Sequence, residues 1–138
     1  MRVVLDTNIL WISIPRLSPS NWLIRDLSSQ KYSICVTTDI LDEYEEIIEE
    51  FLGTETAQNF MEFLDTIPNL EQITRHFRWQ LITHDPDDDK FADCYLWGNA
   101  NYLVTHDRHF NVLKKRLFPR INVITLDEFK SILYSQEI

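Results

Sequence analysis

Residues 87–107 read DDDKFADCYLWGNANYLVTHD. Three acids run into Phe91, Ala92, Cys94, Tyr95, Leu96 and Trp97, which are apolar on nearly every side of a helix drawn over 87–99. Gly98 stands where such a helix closes. Residues 102–105, YLVT, then form a short strand, and Asp107 follows two residues past it. A buried helix feeding a short strand that ends in an acid is one unit of an α/β fold.

The same alternation runs through the rest of the chain. Val3-Val4-Leu5 is apolar on both faces, as a central parallel strand is, and ends at Asp6. Residues 19–30 read as a helix with Trp22, Leu23 and Leu27 on its apolar side, and 32–36 as the second strand. Thr38 is the expected cap of a helix reaching Leu52, with Ile40, Leu41, Tyr44, Ile47, Ile48 and Phe51 as its stripe. A further helix over 54–66 carries Ala57, Phe60, Met61 and Leu64, and Pro68 stops it. A strand at 71–74, a short helix over 109–116, a strand at 122–125 and a helix over 126–134 complete the reading. The pattern predicts an α/β/α sandwich of three layers around a mostly parallel sheet of four to five strands, as one domain over 1–138. In such sheets a ligand site lies beyond the carboxyl ends of the strands.

Composition narrows the function classes. The chain is 44% hydrophobic, enough for a core, and its apolar runs are too short to span a bilayer. Cys35 and Cys94 are isolated among apolar neighbours, which suits buried thiols in a reducing cytoplasm. Two glycines, Gly53 and Gly98, both placed after helices, exclude a glycine-rich phosphate loop. The net charge of −9 argues against grip by phosphate neutralisation, but it is compatible with acids gathered to hold cations. Positive charge collects in 106–120, with Arg108, Lys114, Lys115, Arg116 and Arg120 against Asp107.

Asp6 and Asp107 each end a strand, where Asp is common for turn reasons alone; two such acids together point to one site. Asp87 and Asp88 fit a cap and first turn. Asp89 and Asp93 are four apart on one side of the helix, and Asp93 lies among apolar residues where a carboxylate needs a partner or a metal. The helix over 39–50 carries seven acids, most of them a solvated face, with Glu43 and Glu45 flanking the apolar stripe on opposite edges. Helix geometry does not choose between these two. Asp and Glu without Cys form a hard-oxygen set suited to Mg²⁺ or Mn²⁺. Two such cations can clamp a phosphoryl displacement, as in many nucleases and phosphatases.

VVLDTNIL at the start, LDEYEEII over 41–48, the stretch 85–110 and the closing NVITLDEF together resemble the PIN domain family over nearly the whole chain. The likeness extends to short prokaryotic, VapC-like members described as toxin components of toxin–antitoxin systems. The resemblance implies an α/β/α fold and a Mg²⁺- or Mn²⁺-dependent ribonuclease. It matches Asp6 to the family's first acid and Glu43, before Tyr44, to the second, which selects Glu43 over Glu45. Asp89 matches the third acid, eighteen positions before the fourth, Asp107, with Thr105 as the associated hydroxyl. Asp93 matches a further acid found one turn after the third in some members. His106 and Tyr95 depart from the small residues common at their positions.

The reading that results is hydrolysis of RNA phosphodiesters, single-stranded or structured, in the cytoplasm. Asp6, Glu43, Asp89 and Asp107 are the expected catalytic acids, with Asp93 a further metal ligand. Thr105 and Asn8 are expected to support them, and Arg108, His109, Lys114 and Lys115 to meet substrate phosphates. An antitoxin protein and a homodimer are the expected partners. The alternative is a catalytically weak binding module that docks a protein through Trp11, Ile12, Ile14, Trp22 and Trp79. A helical His-Asp phosphohydrolase fails because His84-Asp85 and His106-Asp107 lie at loops and strand ends, without further His ligands. A haloacid-dehalogenase-like phosphatase fails because Asp6-Thr7-Asn8 lacks its second Asp. RNA and DNA are not separated by sequence.

Overall fold

A computed structural model describes residues 1–76, 89–115 and 118–135. Val3, Val4 and Leu5 are fully buried in β1 (Arg2–Leu5), the central strand of a parallel five-stranded sheet. β1 pairs on one side with β2 (Ser33–Val36), which pairs in turn with β3 (Leu70–Gln72). On its other side lie β4 (Tyr102–Val104) and then the two-residue β5 (Val123–Ile124). The order is β3-β2-β1-β4-β5, so the chain winds outward in both directions from β1. The switch in direction falls between β1 and β4, where an open parallel sheet forms its crevice. Leu5 stands opposite Val104, and the Asp6 N–H donates to the Val104 carbonyl at 3.1 Å. The residues following both strands therefore leave the sheet side by side.

The helices between these strands cover both faces, giving the α/β/α sandwich. α1 (Thr7–Ser13) begins directly after β1, and α2 (Trp22–Ser28) precedes β2. α3 (Thr38–Leu52) and α4 (Thr54–Thr66) form a hairpin. Gly53 joins them at φ 94°, a conformation that side chains resist. α5 (Asp89–Trp97) lies against β1, β2, β4 and α3. A 3-10 turn (Arg108–Phe110) and α6 (Asn111–Lys114) follow β4, and α7 (Leu126–Ser135) closes the described chain. No described helix is long and apolar enough to cross a membrane.

Several elements differ from expectation. α1 was not foreseen. The cap of α3 is Thr37, whose hydroxyl accepts the Ile40 N–H at 3.3 Å, and Thr38 is already helical. Phe51 is 54% exposed and leaves the core stripe, while Ile40, Tyr44 and Ile48 are buried. β3 lies at Leu70–Gln72 and stops short of Thr74. The helix over 109–116 is split between the 3-10 turn and α6. Gly98 lies just past α5, but the left-handed residue closing that helix is Asn99, at φ 52°. There the Ala100 N–H reaches the Tyr95 carbonyl at 3.0 Å and the Asn99 N–H the Leu96 carbonyl at 3.3 Å. Gly98 is needed for space, because a Cβ there would sit 3.0 Å from Ile73 Cγ1.

Candidate metal and nuclease site

Asp6 emerges from β1 into the start of α1 and is 5% exposed. Thr105, just past β4, donates its hydroxyl to Asp6 Oδ2 at 2.8 Å and accepts the Asp107 N–H at 3.0 Å. One hydroxyl thus links the two strand-end acids. Asp107 accepts the His109 N–H at 2.9 Å, and this cap starts the 3-10 turn. Burial raises the Asp6 carboxyl above its ordinary range, and the carboxylates of Asp107 and Glu43 push it the same way. The Thr105 hydroxyl pulls it down, as does the Asn8 N–H, which faces the carboxylate without closing a capping hydrogen bond. The site therefore holds a desolvated carboxylate that two other carboxylates destabilise.

Glu43 is presented by α3, half-buried, while Glu45 is exposed. The buried Tyr44 hydroxyl next to Glu43 donates to the Leu5 carbonyl at 2.6 Å, which pins α3 to the end of β1. One Glu43 oxygen accepts the Thr7 hydroxyl, and the other pairs with the Lys90 ammonium at 2.7 Å. Lys90 follows Asp89, so the first turn of α5 reaches Glu43. Asp89 is the first residue of α5 and is 8% exposed.

Asp93, one turn after Asp89 on α5, has a charged partner in the structure. It is fully buried on α5, and Oδ2 accepts from Arg75 Nε at 2.9 Å. Arg75 also donates from Nη1 to Asp39 Oδ2 at 3.0 Å. The partner that burial demands of Asp93 includes a guanidinium, so its apolar surroundings no longer ask for a cation. Arg75, Lys90 and Thr7 were not singled out in the sequence. No local spacing flags them, because their partners lie 18, 47 and 36 positions away along the chain.

Arg108, His109, Lys114 and Lys115 are all exposed, on the 3-10 turn and at α6. Asn8 is exposed and borders a concavity of about 300 Å³ with Asp6, Ile9, Trp11, Ile12, His106 and Asp107. Trp22 is buried, so it belongs to the core and not to an interface. His84, Asp85, Asp87, Asp88, Trp79 and Arg116 lie outside the described residues.

The donors at the strand ends are all hard oxygens, and their mutual repulsion is of the kind a divalent cation relieves. Among the described residues no three His, Cys, Asp or Glu side chains are grouped so that they could hold a metal ion as they stand. The donor chemistry fits Mg²⁺ or Mn²⁺, and Glu43 meanwhile is held by Thr7 and Lys90.

Comparison with known proteins agrees with the fold. Residues 2–109 match the family model of the PIN domain. No curated protein matches the chain. A similar solved structure is that of VapBC2 from Rickettsia felis bound to a DNA fragment from their promoter. It is 20% identical with a TM-score of 0.62, and the alignment covers 91% of this chain and 98% of that one. At that identity the likeness speaks for the fold.

Proposed function

We propose that this chain, which belongs to the PIN domain family, is a metal-dependent ribonuclease and the toxin of a toxin–antitoxin pair. The observation that carries the reading is the buried Asp6 carboxylate, tied to Asp107 through Thr105 and repelled by Asp107 and Glu43 at the strand switch. Asp6, Asp89 and Asp107, with Glu43 directly or through water, would hold one or two Mg²⁺ or Mn²⁺. When bound, the cation supplies Lewis acidity, lowering the pKa of a coordinated water and offsetting charge on the scissile phosphate.

The chain's own residues do the positioning. Thr105 fixes the rotamer of Asp6 and the backbone that carries Asp107. Thr7 and Tyr44 hold α3 so that Glu43 faces the end of β1. Lys90 balances the charge of Glu43. Arg108, His109, Lys114 and Lys115 lie on one segment past β4, where a phosphate backbone leaving the site would meet them. An antitoxin, a homodimer and a cytoplasmic setting follow from the toxin reading.

The test is cleavage of single-stranded RNA in Mn²⁺ by the wild type and by Asp6→Asn and Asp89→Asn. Each substitution should reduce the rate by roughly two orders of magnitude or more. Cleavage undiminished by either change would sink the assignment. A second reading, a binding module that docks a protein, is favoured by the exposure of Ile12 (37%) and Phe51 (54%). Calorimetry with Mn²⁺ separates them, because such a module has no reason to bind the ion at micromolar concentration.

A further inference from the structure

Trp11 packs on the rim of the core. It is only partly buried, and its ring N–H donates to Asn8 Oδ1 at 3.3 Å. One face is covered by Phe51, with ring centroids 4.4 Å apart and planes 7° from parallel. Phe51 is itself 54% exposed, so the stacked pair lies near the protein surface. The indole borders the same concavity as Asp6 and Asp107, together with Ile9 and Ile12. A rigid aromatic ring and two acids thus open onto one hollow of about 300 Å³.

We infer that this hollow is a nucleobase subsite, in which the base beside the scissile phosphate stacks against Trp11. The inference rests on the hydrolase reading and deepens it by naming the side chain that receives a base. A nucleotide joins an anionic phosphate to a flat, weakly polar base, and the hollow has the same division. The phosphate belongs at the cation that Asp6 and Asp107 would hold, and the base belongs against the apolar wall. Asn8 and His106, which border the hollow, offer polar groups to the base edge. A ring pinned by Phe51 and Asn8 loses little freedom when a base is laid on it. Stacking uses the π-face that every base has, so the preference is for accessible bases and not for one sequence. A base inside a duplex has no free face to give.

The test is fluorescence anisotropy in Mn²⁺ with a labelled single-stranded oligoribonucleotide, its linkages phosphorothioate to slow cleavage. The same strand built from abasic residues is the comparison. Wild type should bind the intact strand about tenfold more tightly than the abasic one. Trp11→Ala should erase that difference, and Trp11→Phe should restore most of it. Phe51→Ala, which spares the indole, should weaken intact-strand binding several-fold and serves if Trp11→Ala does not fold. Equal binding of the two strands by wild type overturns the inference, as does intact-strand binding unchanged in Trp11→Ala or in Phe51→Ala. A Trp11→Ala protein that binds RNA normally but turns from dimer to monomer in sedimentation also overturns it, because the indole then belongs to an interface between copies.

Cleavage of an ordinary strand by wild type is scored separately. Base-dependent binding without cleavage removes the hydrolase reading and leaves the subsite. Cleavage without base discrimination does the reverse.

Discussion

Asp6 is held under electrostatic stress that the fold alone does not require. Its folded-state pKa is raised by burial first and by Asp107 and Glu43 after it. The sign is the opposite of a salt-bridged acid: the ionised form costs stability once pH rises above the unfolded value, and protonation relieves that cost. Asp6→Asn should therefore raise the stability of the metal-free protein near neutral pH, by about 1 kcal/mol in urea unfolding. The same change should slow cleavage by roughly two orders of magnitude or more. A destabilised Asp6→Asn protein would mean that Asp6 serves the fold. Strand-end position makes Asp6 and Asp107 legible in sequence, because short apolar runs mark where β1 and β4 stop. Glu43 and Glu45 are equivalent on a helical wheel. What distinguishes them is that Thr7 and Lys90 meet Glu43, and both contacts depend on how α3 lies on α1 and α5. Asp93 is the instructive case. Its need for a partner is visible from its neighbours, but Arg75 reaches it from the segment after β3 and is invisible to local spacing.

Among the elements, α5 is the one whose placement matters most, since its first turn carries Asp89 and Lys90. Arg75 joins it to α3, with one nitrogen on Asp93 and another on Asp39. Asp93 is almost completely enclosed, whereas the Asp39 side chain is mostly exposed, so the first contact carries the energy. Arg75→Ala should cost roughly 3 kcal/mol by leaving a buried carboxylate without its guanidinium. Pairing it with Asp93→Leu should recover much of that in equilibrium unfolding; no recovery would show that Asp93 depends chiefly on other contacts. The amphipathic helices α3, α4 and α7 are readable because their stripes are long and regular. α1 is not, because seven residues give too little periodicity, and a helix so short owes its existence to the surfaces it packs on. Thr37 and Thr38 are both good caps by chemistry, and only the backbone turn into the helix decides for Thr37.

At the scale of the whole molecule, the described chain shares one buried cluster, in which β1, β2, β4 and α3 contribute most of the completely enclosed side chains. Cys35 on β2 and Cys94 on α5 both lie inside it, and burial raises each thiol above its ordinary range. Neither is a reactive thiolate under native conditions. Both should react with a disulfide reagent only as the protein unfolds globally, at one shared rate across a denaturant series. Early, separate labelling of Cys94 would reveal that α5 detaches on its own. Alternation of strand and helix types makes the α/β class legible, but the strand order is not written in any one segment. It follows from handed crossovers and from which strands can be buried on both faces.

The position of β1 between β2 and β4 has a consequence in time as well as in space. The ribosome delivers Asp6 and Glu43 first, on a segment that already contains β1, β2 and α3. Thr105 and Asp107 come only after Tyr102 to Val104 have slotted beside β1 from the other side. A nascent chain short of that point holds Asp6, Glu43 and Asp89 without Thr105 or Asp107. The proposed site is therefore incomplete until the stretch from Tyr102 to Asp107 has been made.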